Sequence, residues 1–214
     1  MRPLKKQIEF PEKAINYLKN VSPEMKALID LIGEIETYSI SDPFTSLVSQ
    51  IVYQSISFKA ATTIWKRIYD NYSPIAPDKV LSIPFDELRD QGLSKSKTQY
   101  IYNIAHAFLH QEINTNFNDM SDQEVINEVT KIKGIGKWTA EMFLIFSLER
   151  PNVISYGDIA IRKGIEWLYD IDHPITKEEV SYYEYLFSPY NTYASHYLWE
   201  ITIRSYWYQK DHLE

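Results

Sequence analysis

The stretch from Lys131 to Phe143, KIKGIGKWTAEMF, places two of the chain's six glycines one residue apart, where one helical pattern stops and another starts. Glycine adopts backbone angles that other residues avoid, so a helix ending near Lys131 can turn sharply and a new one can begin near Gly136. The first N–H groups of a helix have no partner inside it and carry partial positive charge. Such a start holds an anion with backbone alone, and Lys137 adds a full charge. An ordinary tight turn uses the same residues. The spacing is not that of a Walker loop, and no strand precedes it for a dinucleotide fold.

Working outward, 3.6-residue periodicity dominates. SPEMKALIDLIGEI (22–35) has an N-cap serine, proline at the first helical position and Met25, Leu28, Ile29 and Ile32 on one side. DPFTSLVSQIVYQ (42–54) and SFKAATTIWKRIYDNY (57–72) read as two helices, the second capped by Ser57. Further helices are expected at FDELRDQ, SKTQYIYNIAHAFL, SDQEVINEVTKI, GKWTAEMFLIFSL, DIAIRKGIEWLY, TKEEVSYYEYLFS and TYASHYLWEITIRSYWYQ. These pieces, short loops and the lack of strand alternation predict an all-α architecture. ERPNVISYGD (149–158) is the longest nonhelical connection of the second half and is placed to cross between two lobes. The expected division is 42–148, carrying the glycine turn, against 1–41 plus 149–214, one compact unit with no long linker.

At 214 residues and 44% hydrophobic, the chain can bury one large core or two lobes sharing a cleft. No apolar run nears the roughly 20 residues that span a bilayer, and no apolar signal segment follows MRPLKKQIEF, so a soluble cytoplasmic protein is expected, nucleoid-associated if prokaryotic. Zero cysteines exclude disulfides, thiolate zinc sites, cysteine nucleophiles and a cysteine-held iron–sulfur cluster. The net charge of −7 argues against coating nucleic acid by bulk electrostatics. Three local basic spots remain: Lys95 and Lys97; Lys131, Lys133 and Lys137; Arg162 and Lys163. Brought together, they form a basic face on an acidic molecule.

IKGIGKWTAEMFL, followed about twenty residues on by the aspartate of ISYGDIAIRKG, resembles the helix-hairpin-helix plus Gly-Pro-Asp signature of the DNA glycosylase superfamily. SLVSQIVYQSISFKAA, GLSKSKTQYIYNIA and YASHYLWEITI match its DNA-3-methyladenine glycosylase II branch in the same order, so the resemblance spans roughly residues 40 to 205. It implies a two-lobed helical fold, with hairpin and aspartate on opposite sides of a cleft that takes double-stranded DNA. It also implies a monomer and a phosphate held by the backbone amides of Gly134, Gly136 and Thr139 beside Lys137. The carbonyls of Thr130, Ile132 and Ile135 match those that bind a monovalent sodium or potassium ion in related hairpins; no other cofactor is implied. Lys133 stands where proline is common, which loosens the turn and adds charge.

Cleaving an N-glycosidic bond builds positive charge on the sugar, which a nearby carboxylate stabilises. Asp158 is the candidate; its local sequence equally suits a helix N-cap, and the two roles are compatible. Lyase members of the family carry a nucleophilic lysine where this chain has Trp138, and Lys137, one place earlier, points about 100° away on a helix. A monofunctional enzyme that leaves an abasic site is expected. The target base must be flipped into a pocket, for which the resemblance supplies Trp138, Met142 and Trp199, with Ile159 just after the aspartate. Core packing is the other use of each. Indole faces favour electron-poor bases, so alkylated purines such as 3-methyladenine and 7-methylguanine are the expected substrates. Gln54, Ser55 and Ile56 stand where relatives fill the gap left by the flipped base; a polar interhelical turn is their other reading.

Two other functions stay open: a glycosylase for deaminated bases such as hypoxanthine or uracil, and a noncatalytic hairpin that grips DNA. The latter gives no reason for Asp158 or Trp199. His106 and His110, spaced i, i+4, have metal-pair geometry without a third ligand motif. The tyrosines from Tyr182 to Tyr208 are expected mostly to pack.

Overall fold

The computed structural model describes residues 5–205. In chain order it holds β1 (Lys5–Gln7), α1 (Glu12–Val21), α2 (Pro23–Ile32), β2 (Tyr38–Ile40), α3 (Pro43–Tyr53), α4 (Phe58–Tyr72), α5 (Pro77–Ser82), α6 (Phe85–Arg89), α7 (Lys95–Leu109), a 3₁₀ turn (Phe117–Asp119), α8 (Asp122–Val129), α9 (Lys137–Phe146), α10 (Ile159–Leu168), α11 (Lys177–Phe187) and α12 (Asn191–Ile203). Helices carry the fold, as the periodicity predicts. Residues 206–209 of the last predicted helix lie outside the described residues.

The sequence reading missed α1, α5 and the strands. The two strands of three residues pair as a two-stranded sheet and are too short for alternation to show. α1 follows Pro11 without a side-chain cap, so no start signal marks it. α5 has six residues, fewer than two turns.

The chain divides into two units, one of residues 5–6 and 38–149 and the other of residues 7–37 and 150–205. In the first, α3 is buried nearly all round, from Phe44 to Val52, and packs on α4, α7 and α9. Asp42 caps it by accepting from Thr45 N–H at 2.8 Å. Phe117 and Phe143 meet edge to face, centroids 5.1 Å apart, both essentially without exposure. Burying side chains of this size is worth roughly 2–3 kcal/mol each.

In the second unit α10 packs on α12, α1 on α2, and α12 also on α2 and α11. Leu18, Met25, Leu28, Ile161, Ile165, Phe187, Leu198 and Ile201 form the centre of its core. α10 and α12 approach closely at Gly164, where an added Cβ would lie 2.9 Å from the carbonyl oxygen of Leu198. Tyr183, Tyr193 and Tyr197 are buried, whereas Tyr182 and Tyr185 are 60% and 83% exposed, so packing accounts for only part of the tyrosine content. Tyr206 and Tyr208 lie outside the described residues. No helix among the described residues is long and apolar enough to cross a membrane.

Candidate active site

In the first unit α8 ends at Val129, and the capping box of Ser121 and Glu124 fixes its start. The turn is closed by Ile135 N–H donating to the Ile132 carbonyl at 3.0 Å. Gly134 sits at φ +112° with the Tyr100 ring against it; an added Cβ would come within 2.2 Å of that ring. Glycine is obligatory there for both reasons. Gly136 differs: it is the α9 N-cap, at φ −94°, and an added Cβ would meet nothing within 4 Å. Its surroundings and its angles leave the backbone open to approach. Among the described residues no side chain caps α9, so its leading amides keep their positive potential.

Of the other residues assigned to the phosphate, Thr139 is buried and accepts from Gln54 Nε2 at 2.8 Å. Lys137 is 70% exposed and lies 3.4 Å from Glu141, a buried carboxylate one turn on. The basic spots are partly offset by acids nearby. Lys131 pairs with Glu128 at 2.7 Å and Lys163 with Glu166 at 2.6 Å. Lys97 donates to the Val52 carbonyl at 2.8 Å, and burial lowers its ammonium below the usual lysine range.

The residues assigned to the duplex gap occupy the α3–α4 junction. Gln54 does not reach outward: its amide spans to the Gly134 carbonyl at 3.1 Å as well as to Thr139. Ser55 is left-handed at φ 54°. Ile56 is 39% exposed and Phe58, which the sequence reading did not single out, 64%.

In the second unit Asp158 is the N-cap of α10, its Oδ1 accepting from Ile161 N–H at 3.0 Å. Trp199 Nε1–H, from α12, donates to the same oxygen at 3.3 Å. Asp158 as a residue is 9% exposed. It is therefore held by two donors on a helix start, in a setting of low dielectric. Trp199 packs edge to face on His196, centroids 5.3 Å apart, and the Phe10 ring lies at the same distance from that imidazole, tilted to it. Ile159, immediately after Asp158, is 67% exposed, and Arg162 lies 5.3 Å from the centre of the Tyr156 ring. Of the two residues assigned to the base pocket in α9, Trp138 is half-buried and Met142 buried.

The rings of His106 and His110 lie tilted to each other with centroids 4.2 Å apart on an exposed face, and His106 Nδ1 is 3.0 Å from Glu112. No cluster of three or more His, Asp or Glu side chains suited to a metal occurs among the described residues.

A glycine hairpin opening an uncapped helix, and a buried carboxylate capping another, define an all-α helix-hairpin-helix protein. Residues 48–184 match the HhH-GPD superfamily base excision DNA repair protein family, and the chain belongs to it. Trp199 lies beyond the matched residues. The DNA-3-methyladenine glycosylase 1 of Schizosaccharomyces pombe is 32% identical over 196 residues, which are 88% of this chain and 86% of that protein. Among solved structures, the Schizosaccharomyces pombe 3-methyladenine DNA glycosylase Mag1 in complex with abasic DNA superposes with a TM-score of 0.83 at 30% identity, covering 89% of this chain and 97% of that one. A DNA-3-methyladenine glycosidase from Bacillus halodurans gives 0.75 at 32% identity, covering 92% of each.

Proposed function

We propose that the chain is a monofunctional DNA glycosylase of base excision repair that releases alkylated purines, of the 3-methyladenine and 7-methylguanine type, from double-stranded DNA. The names of its relatives support the alkylated-base class. It acts as a cytoplasmic monomer.

The observation that carries this reading is the arrangement at Asp158, a buried carboxylate whose Oδ1 is fixed by the Ile161 amide and the Trp199 indole. As the base departs, the sugar becomes oxocarbenium-like, and an oriented carboxylate in a low-dielectric site stabilises that charge without reorganising. Alkylated purines carry positive charge on the base, so the glycosidic bond is already weakened and no general acid is needed. The indole faces of Trp138 and Trp199 suit such cationic rings. The amides of Gly134, Gly136 and Thr139, with Lys137, hold one backbone phosphate. The carbonyls of Thr130, Ile132 and Ile135 are hard oxygens suited to a sodium or potassium ion. Ile132 keeps a second lone pair beside its bond from Ile135, and a bound cation would reinforce the anion site.

The test is base release from alkylated, deaminated and oxidised duplexes by wild type and Asp158→Asn. Release from the alkylated duplex, lowered about 100-fold or more in the variant, is expected. Equal rates would remove Asp158 from catalysis, preference for a deaminated base would move the substrate class, and no release from any duplex would leave a binding module. Purified protein is expected to leave the strand unbroken, because Trp138 occupies the lyase lysine position; nicking above background would overturn that.

A further inference from the structure

We propose that Gln54 and Asn103 are positioning residues of the hairpin: two side-chain amides that fix consecutive peptide planes, Asn103 so that the Gly134 N–H faces the phosphate and Gln54 so that the Ile135 N–H closes the turn beneath it. The proposal rests on reading the hairpin as a phosphate clamp.

The geometry is specific. Asn103 Nδ2 donates to the Lys133 carbonyl at 2.9 Å, and Gln54 Nε2 donates to the next carbonyl, Gly134, at 3.1 Å. A carbonyl only accepts, so each amide must present its NH₂. In a trans peptide the C=O and the following N–H point in opposite directions. Holding the Lys133 oxygen against α7 therefore directs the Gly134 N–H away from α7. Holding the Gly134 oxygen directs the Ile135 N–H the other way, where the Ile132 carbonyl receives it at 3.0 Å.

Both peptides flanking Gly134 are thus fixed by side chains from outside the hairpin. Gln54 takes a second anchor on Thr139 Oγ1 at 2.8 Å, tying the turn to the first turn of α9. Tyr100, one turn before Asn103 on α7, packs on Gly134 itself. Lys97, a further turn back, holds the Val52 carbonyl at the end of α3. One face of α7 and the end of α3 therefore form a rigid seat for a turn whose own sequence lacks the usual proline.

This gives Gln54 a role different from filling the duplex gap. An amide with two bonds inside the unit acts by ordering the clamp before DNA arrives, which lowers the entropic cost of binding. A gap-filling residue matters only when a base is out of the stack. A brace matters for any duplex that the hairpin grips.

The discriminating experiment compares affinity for undamaged duplex with affinity for duplex containing a tetrahydrofuran abasic analogue, using Gln54→Leu and Asn103→Ala, with thermal melting of each variant. Leucine keeps the bulk of Gln54 and loses its donor. Both variants are expected to weaken both duplexes by the same factor, roughly five- to tenfold. In turnover, KM should rise by a similar factor with kcat within about twofold. Loss confined to the abasic duplex in Gln54→Leu would overturn the brace in favour of gap filling. No loss on either duplex would overturn it when Gly136→Ala still weakens binding; if Gly136→Ala also binds as wild type, the clamp reading itself fails. Should Gln54→Leu melt early, Asn103→Ala, on the surface of α7, carries the same comparison.

Discussion

At the scale of single residues the two glycines of the hairpin have separate physical duties, and substitution separates them. Gly134→Ala forces a β-carbon onto the Tyr100 ring at an unfavourable φ, and a loss of about 3 kcal/mol is expected in chemical denaturation. Gly136→Ala meets no atom within 4 Å, so its stability should stay within about 1 kcal/mol of wild type. His196 supplies a pH-dependent term. Burial lowers its pKa to about 3, so the folded chain keeps it neutral while the unfolded chain takes up a proton below about 6.5. Its contribution is complete above that pH and is lost toward 3, at up to about 1.4 kcal/mol per pH unit. Melting temperature should fall as pH drops from 6.5, first through His196 and, approaching 4.5, also through Glu179 and Asp30, which are held near 2 in the folded chain against 4.5 and 3.8 in the unfolded one. His196→Phe should flatten that fall; an unchanged slope would assign it to other groups. Asp158 was legible as an N-cap from its place before an apolar helix. Its bond to Trp199 was not, because it joins residues 41 positions apart.

Among the elements, the hairpin could be read because glycine spacing and a capping box are local signals. The α8–α9 junction falls where the two glycines put it. What the sequence could not give was the seat beneath it. Lys97, Tyr100 and Asn103 recur every three residues along α7, but they are polar or amphipathic, and that spacing alone does not distinguish a brace from a solvated face. The junction of α3 and α4 shows the same limit: Gln54 carries no mark of which way its amide turns. The α10–α12 crossing makes a separate prediction. Because Gly164 lies against the Leu198 backbone, Gly164→Ala cannot be absorbed by a rotamer change. A loss of about 1–3 kcal/mol is expected in denaturant titration; a neutral result would mean that α12 shifts without cost.

For the molecule as a whole, a net charge of −7 and a DNA substrate are reconciled by locality. The three basic spots hold seven side chains, yet Lys131, Lys137 and Lys163 have acidic neighbours and Lys97 is committed to a carbonyl. Fewer phosphates are neutralised than the lysine count suggests. The slope of log affinity against log salt should fall roughly between −2 and −4; a flat titration would contradict a phosphate clamp, and a slope near −6 would require every basic spot to engage. The division into units also bears on synthesis. Residues 38–149 are contiguous, so the hairpin unit can complete its core while the ribosome is still adding residues. The other unit is assembled from segments on either side of it. Leu18, Met25 and Leu28 must therefore wait for Ile161, Phe187 and Leu198 to emerge, leaving an early apolar segment that a nascent-chain chaperone would meet first.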